Sequence, residues 1–387
     1  MRKIVMTAKN KVNTQRKIVQ TVWLTLGRYG GFIALIWLIL CLPVQAAKEL
    51  RIAVKKGVSA VQVGSSTPAI VRDAGGRPIG NLAALDGFTV KPRGSGVNLN
   101  QWNSSYLIIE PKDDGVVWIG DRWYRGKVRV IRQGSGVTAL NLVDIEEYLY
   151  SVVGAEAYPT WPQEALKSQA VVARTYALYK ASTASNRYYD LDTTTNTQVY
   201  KGLETEFVTT HDAVKATLGQ VLTYNGKVIL SAFHSSSGGH TENVEDVWSS
   251  PLPYLRGVVD YDQTAPVFQW SRSFSAWEMG RLIGGVGSVR SLVPEKTTPH
   301  GRIITLKVVG SAGSRRITDD QLRKALKLKS TLFTVSNNNG TFTIEGRGYG
   351  HGIGLSQWGT HYLAEQGIPY HQILSHYYKN ARLTSLN

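Results

Sequence analysis

The chain has 387 residues, with 42% hydrophobic and 19% charged residues, 38 Gly, 19 Tyr, 10 Trp and one Cys. That length holds two or three domains, and the apolar content excludes a wholly disordered chain. A single Cys excludes an intrachain disulfide and a Cys-rich zinc site, while the formal net charge of +16 suits anionic partners: nucleic acid, acidic lipid or an anionic cell wall.

Much of the charge lies at the front. Residues 1–46 hold seven Lys and Arg and no acid, which leaves 37 basic and 28 acidic residues behind them, a net of +9. The apolar run 32–44 is thirteen residues long, shorter than the roughly 20 needed to span a bilayer. It follows a basic segment and ends in Val44-Gln45-Ala46, small residues placed for cleavage after Ala46. This is the layout of a secretory signal peptide; an uncleaved membrane anchor is the other reading. Leu40 before Cys41 argues against a lipoprotein site, and cleavage leaves a chain without Cys. The expected location is outside the cytoplasmic membrane, in the periplasm or cell wall, where nucleic acid is not a partner. Membrane contact is expected only through an uncleaved N-terminal segment.

Residues 50–64 alternate apolar and polar residues, a strand signal, and short strand-like runs recur at 69–72, 88–91, 105–110, 116–119 and 127–132. The stretch 92–104 reads as a long loop. Residues 47–120 are expected to form a small β module and 121–387 the main domain. The strongest helix starts near Thr160, where Thr160 and Gln163 make a capping box. Leu166, Ala170, Ala173 and Ala177 then share one face to about Ser182. A weaker helix is expected at 208–218, and a hairpin at 220–233 turns on Asn225-Gly226. Helices are expected at 275–284, 318–327, 356–366 and 370–379, and strands at 302–309, 331–335 and 341–345. The fold class is α+β, mostly antiparallel β with a few packed helices.

Four segments can carry chemistry. Glu156 stands in the apolar run 152–159, where its charged form is disfavoured and its pKa rises. Such a carboxyl can protonate a glycosidic oxygen; it can equally charge a helix N-terminus. Phe233–Thr241 packs His234, Ser236, Ser237 and His240 into a Gly-rich turn. The alternatives there are a substrate-binding turn, a hydrogen-bonded structural turn, or zinc on the two His, for which no third ligand or HExxH pattern exists. In Gly346–Gly354 every second residue is Gly, so an extended segment presents Arg347, Tyr349, His351 and Ile353 on one face and bare backbone on the other. That suits an anionic sugar or a buried ribbon. Ser356 is placed as the N-cap of the next helix, with Gln357 in its first turn. Gln169, Arg174 and Tyr176 flank the Ala face of the long helix, and Gln198 and Tyr200 lie in Thr195–Gly202.

Together these segments resemble the stage II sporulation protein D / amidase enhancer (SpoIID/LytB) family over about residues 120–387. The resemblance rests on Tyr124-Arg125-Gly126, Val143–Tyr150, Glu156 with Pro159, Glu164–Tyr176, Gln198–Gly202, Phe233–Thr241, Gly346–Gly359 and Ile373–Tyr378, all in one order. It implies a peptidoglycan lytic transglycosylase. Such an enzyme cleaves between N-acetylmuramic acid and N-acetylglucosamine without water and leaves a 1,6-anhydro end. By position Glu156 is the single acid and base. One carboxylate suffices because the nucleophile is internal to the substrate, whereas most glycosidases need a pair. Glu242, Glu245 and Asp246 are the nearest second carboxylates, and none is expected to act. The substrate-binding residues implied are Gln169, Arg174, Tyr176, Gln198, Tyr200, His234, Ser236, Ser237, His240, Arg347, Tyr349, His351, Ser356 and Gln357. Some members carry Cys where this chain has Ser237, a branch associated with zinc; with Ser there, neither a metal nor another cofactor is expected. Ala157-Tyr158 also departs from the Met-Pro of many relatives. The alternative function is a non-catalytic binder of peptidoglycan glycan strands that stimulates a partner N-acetylmuramoyl-L-alanine amidase.

Overall fold

A computed structural model describes residues 48–194, 197–248 and 250–386. The expected signal segment lies outside the described residues. No helix among them is long and apolar enough to cross a membrane.

The first part of the chain builds two sheets. A seven-stranded sheet has the order Leu191–Asp192, Glu49–Val58, Gly136–Asp144, Lys127–Gln133, Tyr106–Pro111, Ala69–Arg72, Pro78–Leu82. A six-stranded sheet runs Arg122–Tyr124, Val117–Ile119, Val61–Ser65, Gly87–Arg93, Gly96–Leu99, Trp102–Ser104. All but one of these pairings are antiparallel; Glu49–Val58 and Leu191–Asp192 run parallel. The boundary expected near residue 120 falls inside this arrangement, because Glu49–Val58 pairs with Gly136–Asp144 and one core takes side chains from 50 to 214. The stretch expected as a loop at 92–104 instead forms two short strands, Gly96–Leu99 and Trp102–Ser104, turning at Asn100 with φ +51°.

Helix α1 (Ile145–Glu156) follows the strand 136–144 without a break, and the Asp144 side chain caps it by accepting from the Glu146 N–H. Helix α2 (Gln163–Thr183) buries Leu166, Ala170, Ala173 and Ala177 in the first core. The expected capping box at Thr160 does not form. Pro162 is the N-cap, with ψ 144°, and Gln163 donates its amide to the Thr209 carbonyl. Helix α3 (Val208–Ala216) closes this layer. The opposite side of α2 packs Ala165, Val171 and Val172 into a second core with the strand Gln220–Tyr224 and helices α7 (Gln357–Glu365) and α8 (Tyr370–Tyr377). Between them in the chain come the short α4 (Val244–Val247), α5 (Ala276–Ile283) and α6 (Asp319–Leu326). The latter two join two three-stranded antiparallel sheets around a third core drawn from Trp270 to Ile344. With most strands antiparallel and helices packed on them, the fold is α+β.

Candidate active site

Glu156 ends α1, rather than preceding the next helix. Its carboxylate accepts a hydrogen bond from the Val199 N–H (2.9 Å) and another from the Gln357 side chain. Burial dominates over both bonds and raises its pKa above the ordinary glutamate value. Gln357 also reaches Gln169 Oε1 at 3.5 Å, so α1, α2 and α7 converge on this carboxyl group.

The second wall is built by zipping two turns together. Phe233 and His234 pair in parallel with Leu355 and Ser356. Ser236 and Tyr349 exchange backbone hydrogen bonds of 3.1 and 2.8 Å, and the Glu242 N–H donates to the Gly352 carbonyl (2.7 Å). The segment 346–354 is therefore not an extended strand with one decorated face. Gly348, Gly350, Gly352 and Gly354 all take positive φ, between +72° and +116°. Each such residue turns the chain, which parts Arg347 and Ile353 from Tyr349 and His351.

Glu156 opens onto a cleft of about 770 Å³ lined also by Tyr176, Lys180, Phe233, His234, Trp248, Tyr349, His351 and Gln357. Helix α6 and its end add Asp320, Arg323, Lys324 and Lys327. Burial, then the nearby Glu156 charge, pushes the Tyr176 hydroxyl up to about 12. His351 is fully committed. Its Nδ1 accepts from the Ile353 N–H (3.0 Å) and its Nε2–H donates to the Phe233 carbonyl (2.9 Å). Burial and the Arg302 charge depress it to about 4. His234 donates Nδ1–H to the Ile353 carbonyl (3.2 Å), and its buried Nε2 has no partner. Burial holds it well below the usual histidine range, so it stays neutral in the cleft wall.

Several expected binding residues do not line this cleft. Arg174 is fully buried, with Nε and Nη2 on the two Glu146 oxygens (2.8 and 2.5 Å) and Nη1 on the Gln220 carbonyl (3.1 Å). Tyr200 lies in the first core and donates to Asn141 Oδ1 (2.7 Å). Gln198 is buried between Tyr148 and the Ala173 carbonyl. Ser236 and Ser237 are buried and donate to Asp262 (2.5 Å) and Asp260 (2.6 Å). Ser356 caps α7 by accepting from the Gly359 N–H (3.3 Å). Apolar neighbours or protein hydrogen bonds claim each of these groups. His240 stacks on His300 at 3.6 Å, and Arg347 lines a separate groove of about 740 Å³ with His300, Trp270, Phe333 and Glu345. The cations of α6, Lys180 and Trp248 were not expected in the cleft. Their signal was weak, since basic residues on a capped helix read as a solvated face.

Among the described residues, Glu156 and Asp320 are the carboxylates lining the cleft, and Asp320 is paired with Lys324 at 2.7 Å. Glu242 is buried against Thr298 and Arg302, Glu245 pairs with Arg256, and Asp246 accepts from the Asn243 amide. None of the three lines the cleft. No group of three or more His, Cys, Asp or Glu among the described residues is placed to hold a metal ion.

A family model described as stage II sporulation protein matches residues 133–224, the part that carries Glu156. Another, described as a domain of unknown function, matches residues 255–354, which includes α6 and the glycine segment. The chain is 32% identical to an uncharacterized protein of Brachyspira hyodysenteriae, over 72% of this chain and 77% of that one. It is 35% identical to stage II sporulation protein D of Bacillus amyloliquefaciens, over 62% of this chain and 74% of the relative. The amidase enhancer of Bacillus subtilis is 35% identical over 61% of this chain, which spans 40% of that larger protein. With this identity across three quarters of a stage II sporulation protein D, and with the family model on the segment that carries Glu156, the chain belongs to the SpoIID/LytB family.

Proposed function

We propose that the chain is an exported peptidoglycan lytic transglycosylase, with residues 1–46 as its export signal and Glu156 as its acid and base. The observation that carries this reading is a cleft carboxyl group whose pKa burial raises, while the other carboxylate lining the cleft among the described residues, Asp320, is exposed on α6 in an ion pair with Lys324. Most hydrolytic glycosidases need two working carboxyl groups. A transglycosylase needs one. Protonated Glu156 gives its proton to the glycosidic oxygen as the C1–O bond breaks. The resulting carboxylate takes the proton of the muramyl C6 hydroxyl as that oxygen bonds to C1, which closes the 1,6-anhydro ring and restores the acid. Gln357 and the Val199 N–H hold the carboxyl group through both steps, and Tyr176 and Tyr349 line the sugar's path.

The test is mass spectrometry of products from purified glycan strands incubated with the full chain and with its Glu156→Gln variant. Anhydromuramyl ends are expected from the wild type, and a loss of at least about 10³-fold from the variant, since the proton-transfer group is removed. Reducing ends instead would replace this mechanism with hydrolysis.

A second reading follows from the relative named amidase enhancer. In it the same cleft binds glycan strands without cutting them, and the chain stimulates a cell-wall amidase. Strands that bind but stay intact with the wild type, together with a faster partner amidase, decide for it.

A further inference from the structure

Three aromatic side chains gather next to residues that neighbour Glu156 and Gln357 in the chain. Tyr158 and Trp161 lie in the loop between α1 and α2, and Trp358 is in the first turn of α7. Ring centroids are 5.6 Å apart for Tyr158–Trp161, 6.0 Å for Tyr158–Trp358 and 5.1 Å for Trp161–Trp358. His361, further along α7, adds its ring 4.8 Å from Trp161. Trp161 and Trp358 are partly buried, whereas Tyr158 is 59% exposed.

The cluster is tied to the catalytic carboxyl group at both ends. Tyr158 is two residues past Glu156, so their Cα atoms are no more than about 7 Å apart. Trp358 directly follows Gln357, which hydrogen-bonds that carboxylate. A polymeric substrate that fills the cleft must also leave it, and rings this close to two lining residues are within reach of its next unit. A pyranose ring has an apolar C–H face and a polar rim. A flat indole or phenol covers the face and leaves the hydroxyls in water, as its own amphipathic character allows. A folded protein partner would instead need a broad apolar patch, and here one exposed Tyr sits over rings already packed into the fold.

We propose that Tyr158, Trp161 and Trp358 form an extension subsite, on which a hexopyranose unit of the glycan strand stacks outside the cleft. The proposal rests on the glycan reading of the cleft. Long strands then gain affinity from the cluster, and a fragment short enough to lie within the cleft does not.

The experiment titrates tryptophan fluorescence of the full chain carrying Glu156→Gln, which cannot turn over. The probes are a peptidoglycan tetrasaccharide and long purified glycan strands. Adding Tyr158→Ala is expected to weaken long strands about five- to tenfold more than the tetrasaccharide, the worth of one stacking contact. Tyr158→Phe keeps the ring and is expected to restore the difference. An equal loss at both lengths, no loss at either, or no restoration by Phe overturns the subsite. A length-dependent loss of binding in a chain whose wild type makes no anhydro ends leaves the subsite standing and overturns the lytic reading alone.

Discussion

At the scale of single residues, the proposed mechanism turns on Glu156 and its two donors. Burial favours the neutral acid, and the hydrogen bonds from Val199 and Gln357 favour the anion, so they hold back the rise. In the proposed mechanism the protonated form starts the reaction, so activity is expected to fall as pH rises through the Glu156 pKa. Gln357→Leu removes a donor that stabilises the anion. The pKa must then climb further, and the alkaline limb of the kcat/KM profile is expected to move up by about one pH unit, the worth of one charged hydrogen bond. An unmoved limb would mean that Gln357 serves the substrate instead. Glu156 was legible in the sequence because an acid in an apolar run is conspicuous. Its donors were not: Val199 acts through its backbone, and Gln357 is brought to it from 201 residues away in the chain.

At the scale of elements, the helical period and the hairpin turn held, while the Thr160 capping box and the 92–104 loop did not. The α2 face of Leu166, Ala170, Ala173 and Ala177 shows in a 3.6-residue period, and Asn225-Gly226 makes its turn with both residues at positive φ. The strand 136–144 left no such trace, because eight of its nine residues are buried and nothing alternates. The glycine segment misled for a different reason. Alternate Gly residues mark a backbone free to adopt either sign of φ, and only the pairing with 236 and 242 selects the positive one. This makes Gly350 a sharp test. Its φ is +116°, and a Cβ there would meet the His234 Cβ at 2.7 Å. Gly350→Ala is expected to cost about 1–3 kcal/mol in urea unfolding and to reduce kcat/KM at least about tenfold by shifting His234 and Tyr349. Gly340, also at positive φ but facing open space, serves as the comparison, since Gly340→Ala carries backbone strain without touching the cleft.

At the scale of the molecule, the second wall of the cleft depends on holding the 233–241 turn against the glycine segment, and the buried Arg302 bridges the two. Its Nη2 donates to the Ser237 carbonyl (2.9 Å) and its Nη1 to the Gly350 carbonyl (3.0 Å), so one guanidinium fixes both turns of the second wall. Its counter-charge is Glu242, at 3.7 Å and equally buried, and burial lowers Arg302 to about 10 despite that partner. The pair is poorly satisfied, with Arg302 Nε and Glu242 Oε2 lacking hydrogen bonds. Desolvation thus weighs heavily here, and the ion pair alone is a weak source of stability. Removing one member is another matter. Arg302→Met strands the Glu242 charge and leaves two buried carbonyls without donors, at an expected cost of about 3–5 kcal/mol in the urea unfolding free energy. Adding Glu242→Leu removes the stranded charge but not the orphaned carbonyls. The double variant is therefore expected to regain about half the lost stability, while its kcat/KM on glycan strands stays low because Ser237 and Gly350 are still untethered. Full recovery of both would show that Arg302 only balances a charge, and that the second wall is held by its own backbone pairing.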